Sequence, residues 1–396
     1  MTHFLKRLID NYYWIYVLLA FMSFLGLPDM YFIIILCMVA LTLVSLQNYP
    51  LKWNSMDGLV VLFMTYLLLS FFFSNYRLSI WYYGVKSQMI PMLFYFIGRN
   101  RLFEDNKFLE RMRIPMLIAM VVGLLLYFWA PDWYMARRTA GLAEDSSLNA
   151  FHEVTRLSSF WPWSYAMGFG SLFYFMYYSK DFFLQKVDYK KIGYLIIAVL
   201  TLFFAQQRVS IAFFCLYLVY MTVFANRRYR KRLFYLWGFM FLAAIGIYVF
   251  MINYADGSFV EYVLNRSTDS DSNIVVDRFG LFADLWHVSM LGDGLGRYGH
   301  MVLMYNMRSI TDCEYIRLMA ELGIIGCSIF ALIYYKALRK AFHHRKIFMF
   351  EMMVVLFYLV AMIGATPLEN DSMQPFLFWY CIGRIANGEL LKKKRI

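Results

Sequence analysis

Apolar stretches of about 20 residues recur from one end of this chain to the other, and that feature limits what it can become. A helix rising ~1.5 Å per residue needs roughly that length to cross a hydrocarbon layer of ~30 Å. Twelve stretches qualify, over 11–28, 30–47, 56–74, 79–98, 114–130, 160–178, 192–205, 209–225, 233–252, 315–335, 347–367 and 374–390. They leave no soluble domain over. With 61% of its 396 residues hydrophobic and only 16% charged, the chain is a poor fit to water-exposed or disordered architectures. The expectation is an all-α polytopic membrane protein, a single integral domain over 1–396. The first stretch follows Lys6 and Arg7 and so imitates a signal peptide, but no small-residue cleavage site follows and another span begins at once. It reads as a retained helix. Cys37, Cys215, Cys327 and Cys381 fall inside spans and only Cys313 lies near an exterior loop, so no disulfide framework is implied.

Charge supplies the orientation. Lys and Arg in short loops stay on the cytoplasmic side, and assigning alternate loops to two faces puts 26 of the 38 cations on one face and nine on the other. Twelve spans with both termini inside satisfy this division. The net charge of +12 is then a topology signal that suits anionic lipid headgroups, and a nucleic-acid partner is unnecessary.

Two exterior segments, 131–159 and 253–314, are long enough to hold a site and form the expected lid over the helix ends. In the second, Val275, Phe279, Phe282, Leu285, Trp286 and Ser289 recur at helical spacing, which predicts an amphipathic helix over about 276–290. A glycine-rich turn follows, Gly292-Asp293-Gly294-Leu295-Gly296-Arg297-Tyr298-Gly299. No strand precedes it, so its G-x-G-x-x-G spacing is not a dinucleotide fingerprint. It reads as a tight connection, with an anion cradle as the alternative.

All nine exterior cations are Arg: Arg77, Arg137, Arg138, Arg156, Arg208, Arg266, Arg278, Arg297 and Arg308. A guanidinium binds phosphate oxygens as a two-pronged fork, so a lipid-linked phosphate or diphosphate is a natural exterior ligand; pairing with exterior carboxylates is the plainer role. Arg208 stands out, because Gln206-Gln207-Arg208 is a short polar break between two apolar spans. Arg278 beside Asp277, and Arg156 before an aromatic span, are further candidates. Exterior acid or base candidates are His152, Glu153, Asp277, Asp284, His287, Asp293, His300, Asp312 and Glu314. Arg317 and Glu321 stand four apart and read as an intrahelical pair. Metal ligation is not expected: there is no close His or Cys cluster, and Asp269-Ser270-Asp271 is the one exterior Asp-x-Asp.

Four ordered islands then resemble the O-antigen polymerase and ligase superfamily of bacterial envelope glycan assembly. They are Arg156-Leu157-Ser158-Ser159-Phe160-Trp161-Pro162, then Gln207-Arg208-Val209-Ser210, then Asp277-Arg278-Phe279 with Gly294-Leu295-Gly296, and finally Asp312-Cys313-Glu314 through Gly326. The resemblance covers about 150–335 and implies a GT-C-like membrane glycosyltransferase of the bacterial inner membrane with its active site on the periplasmic side. It would take an undecaprenyl-diphosphate-linked oligosaccharide and join it to an acceptor hydroxyl without a metal or cofactor. Arg208 and Arg278, with Arg156, would hold the diphosphate leaving group. Asp312, at the place where ligases of the superfamily carry His, would serve in acceptor activation; its alternative role is a helix N-cap.

The chain departs from the ligase pattern with Asp312-Cys313 in place of His-Asn, and from the usual Ser-Arg with Gln207-Arg208. The first departure favours a repeat-unit polymerase for O-antigen or capsule, acting on lipid-linked donor and acceptor among membrane lipids, with room for a chain-length regulator. A ligase onto lipid A core is the alternative within the same chemistry. A transporter or flippase of lipid-linked glycans is the reading from another class, disfavoured because charges within spans are few: Lys86, Arg317, Glu321, Glu351 and Arg384.

Overall fold

The computed structural model describes residues 52–73, 77–99, 109–110, 113–129, 131–134, 156–159, 164–180, 189–224, 230–231, 233–235, 238, 242, 246, 289–305, 307, 309–310, 313–369 and 374–387. The first two expected spans, the lid helix, Arg278 and Asp312 lie outside them.

Among the described residues the chain is mostly helical and holds no strand. α1 is Ser55–Leu69, prolonged by a tighter turn Ser70–Phe73. α2, Leu78–Gly84, passes through a π-helical turn at Val85–Met89 and a short piece at Ile90–Met92 into α3, Phe94–Arg99. Then come α4 Arg113–Trp129, α5 Ser164–Ser179, α6 Tyr189–Phe204, α7 Arg208–Phe224, α8 Glu314–His343, α9 Met349–Ala361 and α10 Gln374–Ala386. Among the described residues, two helices, Ser55–Phe73 and Glu314–His343, are long and apolar enough to cross a membrane; α4, α7, α9 and the Lys191–Phe204 part of α6 are apolar but shorter.

Burial sorts these helices. α5 is buried almost all round, as a central helix must be, and its Phe169 and Phe173 pack edge-on against Phe357 of α9. α1, α4 and α7 instead leave large apolar side chains exposed, among them Leu62, Leu125 and Val219. So much apolar surface opposes water and suits lipid. α3 and α10 cross closely: a Cβ on Gly98 would come 2.2 Å from the Tyr380 carbonyl oxygen, and one on Gly383 2.1 Å from that of Tyr95. Only glycine lets the two backbones approach so far.

The bundle has two ends of different chemistry. At one, the N-terminus of α1 carries a reciprocal cap in which Asn54 Oδ1 accepts from the Met56 and Asp57 amides and Asp57 Oδ2 accepts from the Asn54 amide. Asp57 also takes the Arg99 guanidinium at 2.7 Å. Asn54 Nδ2 and Lys340 Nζ both donate to the Ala386 carbonyl, and Glu351 pairs with Arg384 at 2.8 Å. At the other end lie the C-terminus of α1, the start of α2, residues 289–305, the start of α8 and the end of α9. Among the described residues, Arg99 and Lys340 stand at the first end and Arg77 and Arg297 at the second.

α8 departs from the expected continuous span. It is broken at Gly323 (φ 61°, ψ −169°), a conformation close to glycine-only territory. The turn at 290–294 docks into the break: the Asp293 and Gly294 amides donate to the Ala320 and Glu321 carbonyls at 2.9 Å each, and the Ile325 amide donates to the Met290 carbonyl at 3.2 Å. A Cβ on Gly323 would lie 2.4 Å from the Gly292 nitrogen. Gly323→Ala should therefore lose at least ~2 kcal/mol, read as a lower melting temperature of the purified chain. Gly58 is the opposite case, since it is helical and a Cβ placed on it would meet nothing within 4 Å. Gly58→Ala should therefore raise the melting temperature, through a gain of ~0.5–1 kcal/mol.

Candidate functional site

Two of the sequence islands sink into the same end of the bundle. The first is the short segment at 156–159. Its Leu157 amide donates to the Phe204 carbonyl at 3.0 Å, Ser159 Oγ donates to the Ala119 carbonyl of α4 at 2.6 Å, and Ser158 Oγ lies 3.2 Å from Tyr134 Oη. Ser158 and Ser159 are buried with their hydroxyls engaged, and Ser159 holds a left-handed φ of 56°. The turn between α6 and α7 meets this segment. Gln206 turns it with a φ of 52°, Gln207 Nε2 donates to Ser164 Oγ at the start of α5, and Arg208 opens α7 as an exposed residue. Arg156, half-buried, and Arg208 thus stand on two segments tied by one backbone hydrogen bond. Ring packing places them at the end shared by the start of α8. Phe213, five residues into α7, meets Phe357 near the end of α9 at 5.3 Å, while Tyr177 at the far end of α5 meets Phe350 at the start of α9.

The second sunken island is the glycine-rich turn. Its Leu295 amide donates to Ser70 Oγ at 3.4 Å, and Tyr66 Oη donates to the Leu291 and Leu322 carbonyls, bridging turn and helix break. The amides from Gly292 to Leu295 and those of Tyr298 and Gly299 all donate within the fold. They are engaged, so the anion-cradle alternative has little left to work with. The plain-connection reading is also incomplete, because the turn replaces hydrogen bonds that α8 lost at Gly323.

Beneath the turn lies a wholly buried charge cluster around Arg317. The guanidinium meets Glu314 through Nη2 and Glu321 through Nη1, the latter at 3.2 Å, and its Nε lies 3.6 Å from Glu369 Oε2. Glu321 also accepts from Gln88 Nε2 at 2.9 Å and from the Tyr298 amide at 3.0 Å, while Glu314 Oε2 accepts from the Leu368 amide at 3.2 Å. The expected Arg317–Glu321 pair is present but is one part of this network. Glu314, expected as an exterior acid or base, is buried as the partner of Arg317. It opens a helix, where a carboxylate is welcome, and its position one turn before Arg317 puts both on one face.

The helix N-cap falls to Cys313, whose side chain makes no cap bond. Asp312 itself and Arg278 lie outside the described residues; of the candidate set the structure describes Arg156 and Arg208, on segments joined by the hydrogen bond from the Leu157 amide to the Phe204 carbonyl. Sequence reasoning missed Glu369, which approaches Arg317, and Gln88, which donates to Glu321; both arrive only through the fold. The spacing of Glu314, Arg317 and Glu321 was the available signal. No family model matches the chain, and no curated protein matches it significantly.

Removing Arg317 would leave three carboxylates buried without their cation. Arg317→Met should cost on the order of 3–5 kcal/mol. Gln88→Leu removes a single hydrogen bond to a charged group and should cost about 1.5–3 kcal/mol. Thermal unfolding of both variants in one detergent checks the order, and an Arg317→Met protein as stable as wild type would deny the network its structural role.

Proposed function

We propose that the chain is a multi-pass inner-membrane glycosyltransferase with twelve spans and a GT-C-like layout. In this reading it polymerises undecaprenyl-diphosphate-linked oligosaccharide repeat units on the periplasmic face, for O-antigen or capsular polysaccharide. The contact that supports this most is the hydrogen bond from the Leu157 amide to the Phe204 carbonyl. It holds the Arg156 and Arg208 segments together at the end of the bundle that charge counting assigns to the exterior. Two guanidinium groups delivered to one region suit a diphosphate, whose departure is the step that most needs charge stabilisation.

In this mechanism Arg208, exposed at the first turn of α7, takes the diphosphate with help from the positive end of that helix. Arg156 approaches from the neighbouring segment and Arg278 from the large exterior loop. Asp312, just ahead of α8, accepts the proton of the attacking acceptor hydroxyl. The new glycosidic bond forms as the bond from sugar carbon to diphosphate oxygen breaks, and the electron pair leaves on the diphosphate.

A second reading, transport of lipid-linked glycans, draws on the broken helix α8, since transporters place sites at such breaks. Against it, the charges at this break face one another and are sealed from solvent.

Two outcomes follow. Reporter fusions after Arg230 and after Asp271 should fall in the cytoplasm and the periplasm respectively, and the same compartment for both would remove the topology. Purified wild-type protein given lipid-linked repeat units should build products of many repeats. Arg208→Lys keeps the charge but loses the fork, so its rate should fall at least ~tenfold with membrane insertion unchanged. Normal turnover in that variant would separate Arg208 from the chemistry, and units that cross the bilayer without elongation would favour transport.

A further inference from the structure

Two basic stretches, 227–232 and 336–346, hold ten Lys and Arg between them and no Asp or Glu. They are far apart in sequence, yet the structure brings an arginine from each to the C-terminus of α7. Arg345, in the turn between α8 and α9, lays its guanidinium over the Phe224 ring, 4.7 Å from the centroid, and interacts with the Tyr220 hydroxyl one turn earlier. Phe224 is itself set against Tyr220, their ring centroids 4.5 Å apart. Arg230 reaches the same helix end, with Nη2 donating to the Val223 carbonyl at 3.2 Å. The two guanidinium groups are thus tied to consecutive residues of one helix.

Both arginines are exposed, and neither enters an ion pair among the described residues. Stacking on Phe224 uses the face of the Arg345 guanidinium and leaves its in-plane N–H donors for an acceptor. The counter-charge for this pair must therefore come from outside the fold.

Next to the cations, α7 presents an apolar stripe. Leu216, Val219 and Val223 recur at spacings that share one helix face, and each is more than half exposed, as is Phe224. The stripe runs ~10 Å along the helix. Cations at the end of an exposed apolar stripe are complementary to a phospholipid, its phosphate at the arginines and an acyl chain along α7. Headgroup charge narrows the class further. Choline or ethanolamine would bring an ammonium beside two arginines whose own stretches supply no carboxylate to receive it, whereas a glycerol headgroup leaves the phosphate its net negative charge. A soluble acidic protein could meet the arginines but would leave the stripe, at membrane depth, uncovered.

We propose that Arg230, Arg345 and the Leu216, Val219 and Val223 face of α7 bind an anionic glycerophospholipid of the cytoplasmic leaflet. The site rests on the membrane placement proposed above and on no part of the glycan chemistry. Native mass spectrometry of the full chain in detergent tests it, by titration with phosphatidylglycerol and with phosphatidylcholine of the same acyl chains. Affinity is read without reference to leaflet, so the reporter fusions judge the topology separately. Wild type should hold phosphatidylglycerol at least ~tenfold more tightly, and Arg230→Gln and Arg345→Gln should each weaken that binding about fivefold, the effect of one cation at a lipid surface. Lys52→Gln removes an exposed charge at the same end of the bundle, before α1, and should change the affinity less than about twofold. Glycerol 3-phosphate, a headgroup without chains, should not displace the lipid. Melting temperatures check that the arginine variants fold, and either one alone suffices. Equal affinity for the two lipids, an equal loss in Lys52→Gln, or undiminished binding in the folded arginine variants overturns the site. Displacement by glycerol 3-phosphate overturns it too, in favour of a free phosphate.

Discussion

Backbone carbonyls inside apolar surroundings must find donors, and at Gly323 helix α8 gives up the donors it would ordinarily supply. The Ala320 and Glu321 carbonyls are left open there and are taken by the Asp293 and Gly294 amides. Each orphaned group in a non-aqueous interior costs several kcal/mol, so turn and break specify each other. Two glycines make this possible, because a Cβ on either Gly292 or Gly323 would collide with the other's strand of backbone. The remainder of this end of the bundle follows. Tyr66 bridges the junction, Ser70 receives the Leu295 amide, and residues 296–305 are laid against α2, where Arg77 stacks over Tyr305.

The Arg317 network locks the same junction through side chains. Glu321 is the shared member, since it answers Arg317 and Gln88 below the turn and the Tyr298 amide within it. Buried ion pairs are seldom favoured over well-packed apolar groups. Their value here is positional: they fix the register of turn, α8 and the segment ending at Glu369 at one point. A rigid end suits the chemistry proposed for it, because groups that receive a developing charge act best when they need not reorganise.

Much of the helical layout was legible from hydropathy. The stretch at 56–74 corresponds to Ser55–Phe73, 114–130 to Arg113–Trp129 and 209–225 to Arg208–Phe224, because apolar runs bounded by charge report helix limits directly. The break in α8 was not legible, since Gly323 sits in an apolar run where a glycine is ordinarily tolerated and its φ is dictated by a partner 31 residues earlier in the chain. The site divides the same way. The pairing of Arg317 with Glu321 follows from helical spacing, whereas Glu369 and Gln88 reach Arg317 and Glu321 only through tertiary packing. Likewise the polar break at Gln206-Gln207-Arg208 was visible, but its tie to Leu157 depends on how 156–159 sinks against α4 and α6.

Amide hydrogen exchange on the protein in lipid nanodiscs, resolved over 289–299 and 318–326, tests most directly whether this end is organised by the docked turn. The account predicts that both segments are protected together, with exchange as slow as in the core of α8, because the Asp293 and Gly294 amides and those beyond Gly323 are donors in one hydrogen-bonded unit. Exchange of 292–295 at the rate of a free loop, while 318–326 stays protected, would contradict it.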